Sequence, residues 1–360
     1  MKTLLQELTQ LIGPPGFEEK VVKYIYQKVK PYADEVRVDG IGNVIATKKG
    51  RGEGPSLLIS AHMDEVGFIV KKIEPNGLLR FEKDGGHDDR ILLAQKVRLQ
   101  TEQGIVQGVI GTISAHFAKF DDPHAVRKHS QLYIDVGASS AAEAREMGIE
   151  VGTPVAWATE LDYIGQANGK QRLVGKAFDD RASCALLIHL LQELHTVDLK
   201  GDLHLVFSVQ EEVGLRGAKV VSFDTQPDIT LAIDTTPVSD TLENMMDQTL
   251  LLGQGPGIKV MDFSLVTHPW VRKRLIKVAE THHIPYQLEV FPGIGTDGGA
   301  LATSLGGLPT GVISIPSRYA HSPVEVMDYE DFLYSYELTK QFVLSIGDEQ
   351  VVFTELSDKA

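Results

Sequence analysis

Five residues of this chain have the types and settings of metal ligands: His62, Asp179, Glu212, Asp234 and His321, with Glu211 beside one of them. Two divalent ions that share a carboxylate need ligands of this kind, and hydrolysis needs one further acid to carry a proton. Most of these residues end an apolar run that reads as a buried strand: Ser56 to Ala61 before His62, Leu203 to Gln210 before the Glu pair, and Ile229 to Ile233 before Asp234. Gly311 to Ile315 lies a little ahead of His321. Asp179 differs, standing just outside a helical pattern. Side chains delivered by strand ends gather at the edge of an α/β sheet, where such folds place their chemistry.

Each motif also has an ordinary structural explanation. His62-Met63-Asp64 is a short triplet, common in surface turns. On an extended strand, though, alternate residues share a face, so Asp64 could hold the His62 ring in one tautomer. Asp179-Asp180 precedes the amphipathic stretch from Arg181 to Leu194, and Asp is a good helix cap. Capping suits Asp180 and leaves Asp179, with two carboxylate oxygens, free to bridge two cations. Glu211-Glu212 is the most telling pair, because adjacent acids after a buried strand repel one another unless a cation offsets them. One can ligate while the other takes a proton from water. Asp234 followed by Thr235-Thr236-Pro237 also fits a turn, and a lone His321 also fits a structural role.

Around these residues the sequence alternates helix and strand. Leu4 to Ile12 is periodic and stops at Gly13-Pro14-Pro15-Gly16, a strong breaker. Phe17, Val21, Val22 and Ile25 mark a second helix. Short strands follow at Val36 to Val38 and Asn43 to Thr47. From residue 68 to 164 the texture changes to short alternating segments (Phe68 to Ile73, Leu78 to Glu82, Lys96 to Gln100, Gly104 to Ile110) with the turn Asn76-Gly77, a hairpin signature. The α/β rhythm then resumes. The expected organisation is an α/β domain built from residues 1–67 and 165–360, interrupted by a β-rich insert over 68–164.

Composition narrows the function. A formal net charge of −14 disfavours sequence-independent binding of nucleic acid. Cys184 is the only cysteine, so an internal disulfide and a thiolate metal site are both excluded, and its apolar helical setting is that of a buried thiol. No signal peptide is visible, and no apolar run reaches the about 20 residues that cross a bilayer. No membrane role is expected, and a cytoplasmic protein is.

In their order along the chain these motifs closely resemble the tetrahedral, dinuclear metal aminopeptidases, a family of glutamyl, leucyl and lysyl aminopeptidases with some members labelled endoglucanases. The resemblance runs through Ala61-His62-Met63-Asp64-Glu65-Val66-Gly67, Phe178-Asp179-Asp180-Arg181, Val209 to Ala218 with its Glu-Glu pair, Ile233-Asp234, Gly295-Thr296-Asp297 and Arg318 to Ser322. It implies a mixed-sheet, zinc-aminopeptidase-like catalytic domain whose β insert is a dimerisation domain, in hollow homododecamers built from dimers. It implies that Asp179 bridges two Zn2+ or Co2+ ions, one held by His62 and Asp234, the other by Glu212 and His321. Glu211 becomes the general base, Asp64 the group that orients His62, and the Asp179–Asp180 peptide bond cis. The expected activity is removal of N-terminal residues from short peptides.

A metal-dependent N-acyl amino acid deacylase or small-amide hydrolase uses the same ligands and stays open beside it. A glycosidase fits less well, because adjacent strand acids tend to point opposite ways and only Trp157 and Trp270 could form an aromatic platform. One departure from the family is Gly85-Gly86-His87-Asp88-Asp89, where an aromatic Trp usually follows the glycines. His87 either reshapes the pocket mouth or adds a metal-binding group. Arg318 and His87 are the residues that could favour an acidic substrate side chain. His116, His124 and His129 read as surface histidines.

Overall fold

The computed structural model describes the whole chain except residues 123, 166–170, 239, 243–249, 348–350 and 355–360. Its larger part is built on an eleven-stranded mixed sheet among the described residues. Leu57–His62 lies at the centre, parallel to Leu203–Ser208 on one side and to Ile229–Pro237 on the other, with Thr310–Arg318 parallel to the latter. Antiparallel strands extend both edges: Val44–Lys48 and Glu35–Val38 beyond Leu203–Ser208, and Glu325–Asp328, Arg172–Gly175 and Asp162–Ile164 beyond Thr310–Arg318. Gly257–Asp262 and Gln287–Phe291 branch from Thr310–Arg318.

The central strands are continuous apolar runs because both faces are covered. Every residue of Leu57–His62 and Leu203–Ser208 is buried, as a parallel sheet sandwiched by helices requires. Helix Phe178–Leu194 crosses the sheet, and Leu187, Ile188 and Leu191 join Ile59, Phe207, Phe332 and Phe342 in one core. Helices Lys2–Gln10 and Glu19–Val29 add Leu5, Leu8 and Ile25 to it. Each such fully buried side chain contributes about 1.5–3 kcal/mol by leaving water, so the frame beneath the site is stiff.

The smaller part is a closed barrel of Gly67–Ile73, Leu79–Asp84, Ile134–Asp135, Gly104–Ile110, Lys96–Thr101 and Pro154–Trp157, paired in that order. The period-two pattern of its strands places Phe68, Val70, Phe81, Val97, Leu99 and Trp157 inside. Gly77 has φ of 87°, which a glycine adopts without strain, and a Cβ there would meet the Ala138 carbonyl oxygen at 2.4 Å. The barrel begins at Gly67, one residue before the expected boundary. Asp162–Ile164, on the insert side of the expected boundary at 164, pairs with the large sheet instead. No helix of the described residues is long and apolar enough to cross a membrane.

Candidate metal centre

Sheet register explains why distant residues meet. Ser208 pairs with His62, and Ala232 pairs with Ser60, so the Glu211 turn and Asp234 leave the sheet level with His62. All come from the C-terminal ends of parallel strands, and the strand that precedes His321 is parallel to them. Asp179 reaches the same place from the opposite element, the start of helix Phe178–Leu194, where Asp179 and Asp180 have non-helical backbone angles and the bond between them is cis.

All six sequence-predicted residues around the centre line one cavity of about 770 Å³: His62, Asp179, Glu211, Glu212, Asp234 and His321. Asp179 sits between the histidines with one oxygen toward each. Its Oδ1 lies 3.0 Å from His62 Nε2 and its Oδ2 lies 3.3 Å from His321 Nε2. Asp234 Oδ1 is 3.7 Å from His62 Nε2, and Glu212 Oε1 is 3.3 Å from His321 Nε2. The donor atoms of His62, Asp179 and Glu212 lie within 4.8 Å of one another, and those of His62, Asp180 and Asp234 do likewise.

Burial and crowding set the charges of this cluster. Burial, then the charges of neighbouring acids, pushes the Asp234 and Asp180 carboxyls well above the usual carboxylate range. Burial also raises Glu212, partly offset by His321. Asp179 goes the other way: burial opposes its charge, but hydrogen bonding to His321 and His62 wins and holds it low. Burial disfavours charge on the histidines too, yet their facing carboxylates raise both well above an ordinary imidazole. The two Nε2 atoms thus face a surplus of buried carboxylates, the setting of a cation-binding group. Glu212 Oε1 is buried without an aligned hydrogen bond among the described residues. Crowded carboxylates, two imidazole Nε2 atoms and this open acceptor fit divalent metal ions.

The surroundings orient the donors. His321 Nδ1 donates to the Gly86 carbonyl at 3.0 Å, a common way to fix the tautomer of a ligating His. Asp64 does more than the sequence suggests. Its Oδ1 lies 3.5 Å from His62 Nδ1, long for a hydrogen bond, while its two oxygens accept the Glu211 and Glu212 amides at 3.1 Å each. Glu18 accepts the preceding amide, that of Gln210, at 3.1 Å. Three consecutive N–H groups are therefore held by two buried carboxylates. Gln210 has φ of 55°, and this reversal overturns the expectation that Glu211 and Glu212 point apart: both face the cavity.

Other expectations are corrected by geometry. Asp180 does not cap a backbone amide of the helix; its carboxylate accepts the His62 N–H at 3.2 Å and the Ser183 hydroxyl, anchoring the end of the His62 strand. Arg318 is engaged with Asp240 through Nε and Nη2 and is absent from the cavity lining, so it does not select acidic substrates there. His129 is held against Glu82 and Asp89 rather than free at the surface. Glu325 was missed: buried on a short strand, its Oε2 accepts the Asp179 amide at 3.0 Å. An acid between valines in Val324-Glu325-Val326 was the available signal. Asp297 lies beneath the centre, accepting the Ser60 and Ser208 hydroxyls at 2.7 and 2.5 Å. Glu65, Lys176 and Arg181 form a buried network that grips the Gly13-Pro14 segment.

Comparison with known proteins agrees with this geometry. The family model for M42 glutamyl aminopeptidases matches residues 42–338. A putative aminopeptidase of Acetivibrio thermocellus is 38% identical over 92% of this chain and 94% of its own. The solved structure of an aminopeptidase from the archaeon Desulfurococcus kamchatkensis is 39% identical, covers 95% of this chain and 93% of its own, and superposes with a TM-score of 0.89. That of the Pyrococcus horikoshii TET1 peptidase, which assembles into a tetrahedron or a large octahedral shell, is 33% identical over 95% and 98% of the two chains with a TM-score of 0.85. The chain belongs to the M42 family of metal-dependent aminopeptidases.

Proposed function

We propose that the chain removes N-terminal residues from short peptides at a centre of two divalent ions. The observation that carries this is the placement of Asp179, one oxygen to each histidine at 3.0 and 3.3 Å, with Glu211 in the same cavity. His62 and Asp234 would hold one ion, Glu212 and His321 the other, and Asp179 both. Nitrogen and carboxylate donors of this type suit Zn2+ or Co2+. Bound there, such ions polarise the scissile carbonyl and make water a better nucleophile at neutral pH.

Glu211 is the general base and acid of this reading. Burial, with Asp234 and Glu212 adding repulsion, lifts its carboxyl well above the usual range, which suits a group that accepts a proton and gives it back. It takes the proton from the attacking water and delivers it to the leaving amine nitrogen as the peptide bond breaks. Asp64 and Glu18 hold its backbone, so the carboxylate needs no reorganisation during the reaction. The carboxylates of the centre would give the free α-ammonium of a peptide its place, and the cavity, whose lining includes Ile91, Leu215, Phe263 and Ile294, takes its side chain.

Self-association into a homododecamer built from dimers is part of the same proposal. It is supported by the shells of the Pyrococcus horikoshii relative and by apolar side chains exposed on the insert, among them Phe117, Phe120 and Val126, since such surface is usually covered by a partner. The insert over 68–164 would be the dimerisation domain, and the enzyme cytoplasmic.

A panel of aminoacyl-anilides and N-acetyl amino acids, assayed after chelation and reloading with Zn2+ or Co2+, tests the activity. Hydrolysis of free-amine substrates alone is expected. Cleavage of the acetylated compounds alone would replace the aminopeptidase by a deacylase.

A further inference from the structure

His87 is a third imidazole in the cavity lining, beside His62 and His321, and has no assigned part. It lies in the loop Gly85-Gly86-His87-Asp88, which leaves the barrel strand Leu79–Asp84 and meets the metal centre through the Gly86 carbonyl and His321. The loop is pinned: Lys83 Nζ donates to the His87 carbonyl at 2.9 Å and pairs with Asp89 at 2.7 Å. The ring is wedged between aromatic neighbours, stacked on Phe68 with centroids 4.4 Å apart and edge-on to Trp157 at 5.5 Å. It therefore cannot swing to solvent without breaking this packing.

Both ring nitrogens are buried, and neither makes a hydrogen bond to a described residue. Burial above all pushes the ring down to about 3, so it is neutral and carries one N–H and one free lone pair. The Gly85 carbonyl favours a proton on the ring without reaching hydrogen-bond geometry, which leaves the lone pair as the open group. A buried polar atom without a partner destabilises the fold unless something supplies one. The cavity that the ring lines is where a partner can come from.

Resting on the aminopeptidase reading, we infer that His87 is a substrate-binding residue that accepts a hydrogen bond from the first peptide N–H beyond the scissile bond. The neighbourhood selects this donor. The α-ammonium belongs among the carboxylates of the centre, whereas the acids beside His87 are already taken, Asp89 by Lys83 and Asp88 by Arg90. The scissile nitrogen is occupied with Glu211, which protonates it. The next neutral N–H toward the C-terminus of the peptide is the donor that remains.

His87→Phe keeps the aromatic wedge and deletes both nitrogens. With a tripeptide substrate, KM should rise about tenfold, the loss of one hydrogen bond of about 1.4 kcal/mol, while kcat stays within twofold. A tripeptide with an ester in place of its second peptide linkage lacks the N–H; the wild type should bind it about tenfold more weakly, and His87→Phe should add nothing further. The metal-free variant should melt no lower than wild type, because it buries no unpaired nitrogen. A wild type that treats peptide and ester alike overturns the inference without recourse to any variant. So does a variant that shifts both substrates equally. A wild type inert toward every free-amine peptide sinks the functional reading first, and leaves the melting comparison to report on the ring by itself.

Discussion

The two histidines of the centre are held in different ways. His62 ends a central strand, its side chain 2% exposed, with its amide bonded to Asp180 and its carbonyl accepting from Cys184 Sγ at 3.1 Å. His321 lies past the end of its strand, at φ of 61°, with a side chain 38% exposed and its ring held by a carbonyl from the barrel loop. One side of the centre is part of the core; the other is assembled where the two parts of the molecule meet. Buried, prearranged ligands lose less freedom on binding an ion, so the His62 side should bind tightly and the His321 side should exchange.

Glu211 lies between these sides, and its loss has the largest expected effect. Glu211→Gln should lower kcat about 10²–10⁴-fold while metal analysis still finds both ions. Full turnover in that variant would remove Glu211 from the chemistry. His62→Ala and His321→Ala then test the asymmetry directly. Calorimetric metal titration should show more than about a 100-fold loss of affinity for the first, with a smaller loss confined to one ion for the second. Equal losses would erase the distinction.

Gly86→Ala is a gentler probe of the His321 side. A Cβ at Gly86 would stand 3.3 Å from His321 Nδ1, crowding the ring off its carbonyl. The weaker ion should lose about tenfold in affinity, and the ion on His62 should be unaffected. Stepwise chelation followed by metal analysis reads this out.

The smallest effect concerns Glu18, beneath the Glu211 turn on the His62 side. Burial, with the Asp64 charge, pushes its carboxyl up to about 7. The folded state therefore holds this proton more tightly than the unfolded chain. Its contribution to stability is present below the ordinary carboxylate range and is lost as pH rises toward 7. Denaturant midpoints of the metal-free protein should fall across that window, and Glu18→Gln should flatten the fall. An unchanged slope would show that Glu18 does not titrate there.

Much of this site is legible before folding because each ligand follows an element with a clear local signal. The apolar runs before His62, Glu211 and Asp234 become parallel strands, and the helix pattern from Arg181 marks the position of Asp179. Asn76-Gly77 and the alternating segments announce the barrel. Glu325 and Glu18 were not legible as parts of the centre, and Asp297 was legible only as a motif without a role, since nothing local distinguishes a buried acid from a surface one. The second function of Asp64 was hidden for the same reason, as its partners are amides 147 and 148 residues away.

The order and types of the candidate ligands, the single cysteine and the presence of a β insert are legible in the sequence itself, because they depend on residue identity and local periodicity. Tertiary structure decided which face each acid takes, that Arg318 belongs to Asp240, and that a barrel loop reaches across to His321. The reason is physical: hydrogen bonds and charge act over a few ångströms in space. Register and chain reversal, not spacing along the chain, determine which groups come that close.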